Sequence, residues 1–271
     1  MGADWTSIIQ NVCIEFDIPI SHLHEIISDP KVMPMIRGYA LEYSAIDRLN
    51  NILSPSAWHV EKPRMNAQNG TNDVDIIVQH FQSQRTIRIE CKLAKKGSFK
   101  LQNRISPNPT AQIKCMRSRT LGETMIPGRA RELEVPEDYL RGHADNYMCH
   151  EFDFVLSSLS NAFFETDEST LNYFWDASPQ EQKFLKICGL GGESDPKKIS
   201  DSYFLMAPAE QISSKSIGLK CPRRKCTQPN GCIFVPNYPI VNFSATTGSP
   251  LTPWFRVENV EAEFIKFLDL N

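Results

Sequence analysis

The sequence predicts a mixed α and β protein, and three stretches carry that prediction. Asp73 to Val78 and Ile87 to Lys92 alternate apolar and polar side chains, the period of a half-buried strand. Met35 to Leu53 repeats its apolar positions at helical spacing, with Ile46, Leu49 and Leu53 inside one narrow arc at about 100° per residue. Glu151 to Leu159 is an apolar run that reads as a core strand. With 271 residues, 41% of them hydrophobic, the chain has material for a sizeable core, in one domain or one domain with an appendage.

The remaining elements follow in order. Residues 8–27 are rich in isolated apolar side chains and predict one or two short helices broken at Pro19. Asp29-Pro30 and Pro34 mark a turn and a helix start. In the helix that follows, Gly38 would permit close approach of another backbone, and Glu42 falls inside the apolar arc. Such a glutamate either pairs, keeps a proton or meets a metal, because unpaired burial of charge is costly, or it sits at the edge of the stripe and reaches water. Residues 94–109, with Gly97, Ser98, Asn103, Pro107 and Pro109, read as a loop, and Thr110 to Thr120 as a basic helix or strand ended by Pro127-Gly128. Tyr173 to Leu190 reads as a strand edge followed by a helix from Pro179. Short strands are expected at Tyr203 to Met206 and Cys232 to Val235, and a helix from an Asn259 cap to Leu270. There is no internal repeat and no low-complexity segment.

No run of eighteen apolar residues is present, so no transmembrane helix is expected. The start of the sequence lacks a basic and an apolar region of secretory type, and five of the eight cysteines are scattered, several in apolar runs. Both observations suit free thiols in a reducing cytoplasm. The net charge of −3 hides an asymmetry. Between Lys92 and Arg131 there are ten Lys/Arg against Glu123 alone, a net of +9, which leaves −12 for the rest. A block of this kind attracts phosphate backbones, and otherwise forms a solvated face. Its members are Lys92, Lys95, Lys96, Lys100, Arg104, Lys114, Arg117, Arg119, Arg129 and Arg131.

The block begins inside the two period-two runs. Gln82-Ser83-Gln84 between them suits a hairpin loop, and loop length sets what faces Asp75: Lys92, Glu90 or Cys91. In each register Asp75 lies beside the Glu90–Lys92 segment, at Cβ separations of ~5 Å for directly opposed residues. Glu90 and Lys92 share one strand face. Two carboxylates and an amine then converge, which suits either the wet face of an ordinary surface hairpin or Mg²⁺ held by carboxylates with water and phosphate completing its shell. Lys92 would orient or deprotonate a water, or neutralise charge on phosphorus.

A second constellation is Cys221, Cys226 and Cys232, with four and five residues between them. Structural Zn²⁺ wants four ligands; Cys188, Cys149 or His150 could supply the fourth. Lys220, Arg223, Arg224 and Lys225 make the same loop basic, a second candidate DNA-facing element.

Asp75, a step of fifteen residues to Glu90, and Glu90-Cys91-Lys92 resemble the PD-(D/E)XK nuclease motif. A preceding helix with Gly38 and Glu42 is similar to that superfamily's first core helix. The length and the basic block resemble type II restriction endonucleases. The resemblance spans about residues 35–93. Val74 precedes Asp75 where the motif often has proline, and Asp73 competes with Asp75 for the first acid. The resemblance implies a mixed central sheet flanked by helices, with a core over about 35–160 and 161–271 packed on it as an extension. It implies Mg²⁺ held by Asp75, Glu90 and the Cys91 carbonyl, Lys92 at the attacking water, and Glu42 as a further acid. It implies a homodimer cutting double-stranded DNA at a specific sequence and leaving 5′-phosphates. A structure-selective repair nuclease and a non-catalytic DNA-binding protein with a vestigial site are the competing expectations.

Overall fold

The computed structural model describes residues 4–63, 74–102, 107–117, 120–191, 195–200, 202–218, 220, 221, 223, 224, 226–228 and 230–269. Helix α1 (Trp5–Glu15) begins at Asp4, whose carboxylate accepts the Thr6 and Ser7 amides. Pro19 interrupts the next helical stretch, leaving a 3-10 turn at Ile20–His22 and α2 (Leu23–Ser28). Helix α3 (Met33–Ile52) has Pro34 in its first turn and buries Leu41, Ala45 and Leu49, each four residues from the last. It ends at Leu53, whose amide still bonds the Leu49 carbonyl at 2.8 Å, ahead of Ser54-Pro55. A Cβ built on Gly38 would meet nothing within 4 Å, so no backbone approaches there and that expectation is set aside.

Strands β1 (Trp58–Glu61), β2 (Ile76–His80) and β3 (Thr86–Cys91) run antiparallel in succession. β4 (Thr110–Gln112) leaves the sheet and is followed by α4 (Ile126–Glu132) and α5 (Glu137–Arg141). β5 (Phe154–Ser158), buried along its whole length, returns beside β3 in parallel. β6 (Phe164–Thr166) and β7 (Tyr173–Trp175) pair as a small antiparallel ladder before α6 (Pro179–Ile187), which starts on a Ser178–Glu181 capping box. β8 (Phe204–Pro208) runs antiparallel to β5, β9 (Ile240–Asn242) pairs with β4, and β10 (Phe255–Arg256) joins β8 just before α7 (Val260–Asp269). The result is a mixed six-stranded sheet of order β1-β2-β3-β5-β8-β10 flanked by helices. Cys232 to Val235 forms no strand; Phe234 makes one isolated bridge to Met148.

Alternation along the strands sorts the core into two layers. Ile76, Val78, Ile87, Ile89, Phe154, Leu156, Phe204 and Met206 pack with α3 and α7 on one face. Val155, Leu205 and Ala207 point the other way, into a cluster with Phe99, Phe163, Phe184 and Phe243. Two of the sheet's strands come from beyond residue 160, and α7 fills the α3 layer. The chain past residue 160 is therefore interwoven with the sheet, because β5 is buried on both faces and needs β8 to pair its free edge.

The hairpin register follows from the same core. Ile76 faces Ile89 and Val78 faces Ile87. That puts Asp75 level with Glu90. Facing Asp75 with Cys91 would turn one strand's apolar set away from α3. Facing it with Lys92 keeps the faces but leaves a two-residue Ser83-Gln84 turn, which would need positive φ at Ser83 and, in a type I′ turn, at Gln84 too. The chain takes a longer turn over residues 81–84, in which Gln84 has φ 58° and His80 donates to the Arg85 carbonyl at 3.0 Å.

Candidate active site

Three carboxylates and two lysines meet where β2, β3 and α3 approach. Asp75, immediately before β2, accepts the Cys91 amide at 2.7 Å. Glu90, on β3, is 3% exposed. Its Oε1 pairs with Lys92 Nζ at 2.6 Å, and its Oε2 is buried with no hydrogen-bond partner. Lys92 also donates to Tyr147 Oη at 3.2 Å, with Nζ 4.9 Å from the ring centre. Glu42 lies at the edge of the α3 stripe, its side chain 14% exposed, and pairs with Lys62 just after β1. The glutamate on the apolar face is thus paired, by a residue the sequence offered no reason to single out.

Protonation reflects the crowding. Burial, then Glu90 and Glu42, push the Asp75 carboxyl up to about 8, against the opposing pull of Lys92 and the Cys91 amide. For Lys92, burial disfavours charge, but Glu90, Tyr147 and Asp75 outweigh it and hold the amine well above its usual range. Lys62 is raised likewise against burial, through Glu42 and Asp75. Fully ionised, the three acids exceed the two ammonium groups by one negative charge, and Asp75 answers by keeping its proton. A divalent cation would supply the missing charge and a partner for Glu90 Oε2. The carboxylate oxygens are hard donors, a chemistry that fits Mg²⁺.

The basic block divides in two. Arg117 and Arg129 are taken up by Glu151, 5% exposed, which also accepts the Met148 amide at 2.8 Å. Arg117 further lies 4.6 Å over the Tyr147 ring, and Arg129 pairs with Glu132 at 2.6 Å. Arg223 pairs with Asp145. Arg117 and Arg129 are thus committed to a buried ion-pair cluster, whereas the Arg223 pair is partly exposed. Lys95, Lys100, Lys114, Arg131 and Arg224 are exposed. Lys96 is half-buried over the Tyr173 ring and bonded to Thr166; burial, then Lys114 and Arg37, lower its pKa. Backbone bonds from Lys95 to the Gln112 carbonyl and from Lys114 to the Leu93 carbonyl tie the segment leaving β3 to the end of β4. Asp73, Arg104 and Arg119 lie outside the described residues.

Away from this centre, the ligand atoms of His143, Cys221, Cys226 and Cys232 all lie within 4.8 Å of one another, a group able to hold a metal ion. The fourth member is His143 and none of the three expected. His150 is exposed, and the Cys188 thiol faces the Gly248 carbonyl at 3.6 Å. Cys149 is buried but outside the group. His143 lies 78 residues before Cys221, so only the folded chain joins them.

Among the described residues no helix is long and apolar enough to cross a membrane. No protein-family model and no curated protein matches the sequence. Among solved structures, the bacterial homing endonuclease I-Ssp6803I overlaps 46% of the chain at 15% identity and a TM-score of 0.24, and the chain spans 60% of that protein's length. A likeness this slight bears on neither the fold nor the function.

Proposed function

We propose that the protein is a metal-dependent phosphodiester hydrolase acting on DNA. The observation that carries this is Glu90 Oε2, buried and without a hydrogen-bond partner, on a side chain that pairs with Lys92 and lies level with Asp75. More particularly, we read it as a type II site-specific deoxyribonuclease of PD-(D/E)XK type, working as a homodimer on duplex DNA. Asp75, Glu90 and the Cys91 carbonyl would hold Mg²⁺, with Glu42 beside them. The ion, when bound, lowers the pKa of water and stabilises charge on phosphorus.

Lys92 does the chain's own part. Paired to Glu90 and held by Tyr147, it would position or activate the attacking water and neutralise the phosphorane. Water loses a proton as its oxygen bonds to phosphorus, the bond to the 3′ oxygen breaks, that oxygen takes up a proton, and a 5′-phosphate remains. Lys95, Lys96, Lys100 and Lys114 supply cations for the strand that enters. The homodimer is supported by α1, which exposes Trp5, Ile8, Ile9, Val12 and Ile14. Two copies would bring one centre to each strand.

The test is incubation of the protein with long duplex DNA and Mg²⁺, followed by sequencing of the fragment ends. One short sequence at every end supports the reading; ends confined to junctions or flaps replace it with a structure-selective nuclease. Glu90→Gln should abolish cutting and leave DNA binding in place. Unchanged cutting by that variant removes the site from the mechanism.

A further inference from the structure

The sulfur-rich group has a chemistry of its own. His143, Cys221 and Cys232 are buried, and Cys226 is partly exposed. His143 Nε2 lies 3.2 Å from Cys221 Sγ and 3.3 Å from Cys232 Sγ. Four ligands on a tetrahedral Zn²⁺, with Zn–S at ~2.3 Å and Zn–N at ~2.0 Å, sit roughly 3.5–3.8 Å apart. The group therefore already approaches the size of a filled zinc site. His143 Nδ1 is 2.9 Å from the Tyr139 carbonyl. That carbonyl can only accept, so the proton sits on Nδ1 and the Nε2 lone pair is directed at the thiols. The ring is clamped by stacking on Phe234 at 4.2 Å and 6°, with Tyr139 edge-on at 4.9 Å. Ile126, Ala130, Leu140 and Met148 complete an apolar jacket around it.

Three thiols and an imidazole disfavour Mg²⁺ and suit Zn²⁺, and four protein ligands close the shell, the mark of a structural ion. We propose that His143, Cys221, Cys226 and Cys232 bind one Zn²⁺ per chain, and that this ion braces the residue that holds Lys92. The path is short. The segment from Cys232 to Val235 is hydrogen-bonded along Tyr147 to Cys149, with Cys149 donating to Ile233 at 3.1 Å and Val235 to Tyr147 at 2.8 Å. Tyr139 Oη accepts the Ile233 amide at 3.1 Å. Tyr147 then meets Lys92 through its hydroxyl. The zinc assignment stands apart from the nuclease reading; a failed cleavage assay would leave it untouched.

The test uses the full chain. Purified with Zn²⁺ present and desalted, it should hold one zinc per chain, released by a mercurial thiol reagent. Exchange for Co²⁺ should give thiolate-to-cobalt charge-transfer bands in the near ultraviolet and the visible bands of a tetrahedral ion. Cys226→Ser, at the most exposed ligand, should lower zinc affinity by more than about tenfold, whereas Cys13→Ser on α1 should leave it unchanged. Stripping zinc should speed amide exchange at Cys149, Ile233 and Val235 while sparing β2 and β3. Absence of zinc, or a cobalt adduct without thiolate bands, overturns the site. Zinc binding with no change in exchange at those three amides overturns the bracing role.

Discussion

At the scale of single residues, Asp75 carries the clearest consequence of the packing. Its carboxyl titrates at about 8 in the folded chain, against ~3.9 in an unfolded one. Between those values the folded state holds a proton that the unfolded state has lost. The contribution of Asp75 to stability then falls as pH rises through that window, with the loss complete above the folded value. Measured in EDTA by urea denaturation, Asp75→Asn should flatten this decline and overtake the parent at alkaline pH. Parallel curves for the two proteins would mean Asp75 is ionised in the fold. Lys92 makes a second case. It is the cation paired to a buried Glu90, so Lys92→Met should destabilise the metal-free chain by about 3–5 kcal/mol, the usual cost of orphaning a buried charge. Glu90→Gln combined with Lys92→Met should be more stable than Lys92→Met alone, a non-additivity that a double-mutant cycle reads directly.

Elements tell a different story about substitution. Gly38 sits in the middle of α3 with open space where its Cβ would be. Gly38→Ala should therefore stabilise the protein by about 0.5–1 kcal/mol through helix propensity and a less flexible unfolded chain. A destabilised Gly38→Ala in thermal unfolding would reveal a neighbour on that face. The β2–β3 hairpin, by contrast, is largely readable from its residues. Its period-two runs locate both strands, and the acids and lysine on them. The partner strand β1 is not, although Trp58 and Val60 alternate with exposed His59 and Glu61 in the same way. Four residues are too short a run to stand out beside a helix end and a proline. Lys62, which follows β1 and answers Glu42, is hidden with it.

On the scale of the whole molecule, the basic block illustrates how charge counting and charge placement part company. Ten cations in forty positions suggest one surface, but Arg117 and Arg129 converge on a buried Glu151 that comes from outside the block. Replacing Lys95, Lys100 and Lys114 should weaken DNA binding and make its salt dependence shallower, by ~0.9 in the log–log slope for each phosphate no longer neutralised. Arg129→Ala should instead cost folding stability, because it deprives Glu151 of a partner. An unaltered slope in the triple lysine variant would move the DNA path elsewhere.

Local sequence is enough to find the main buried elements: α3, β2, β3 and α7 announce themselves by the period of their apolar residues, and β5 by an unbroken apolar run. It also placed Asp75, Glu90 and Lys92 side by side, because a hairpin brings its own two strands together whatever the rest of the chain does. Whatever required distant segments to meet came from packing instead. The register came from the demand that Ile76, Val78, Ile87 and Ile89 share the α3 layer, and from a turn that Ser83-Gln84 alone could not close. Lys62 reached Glu42 through β1, Tyr147 reached Lys92 through the return into β5, and His143 reached three cysteines across 78 residues and more. Local periodicity records which way a side chain faces; only packing decides what it faces.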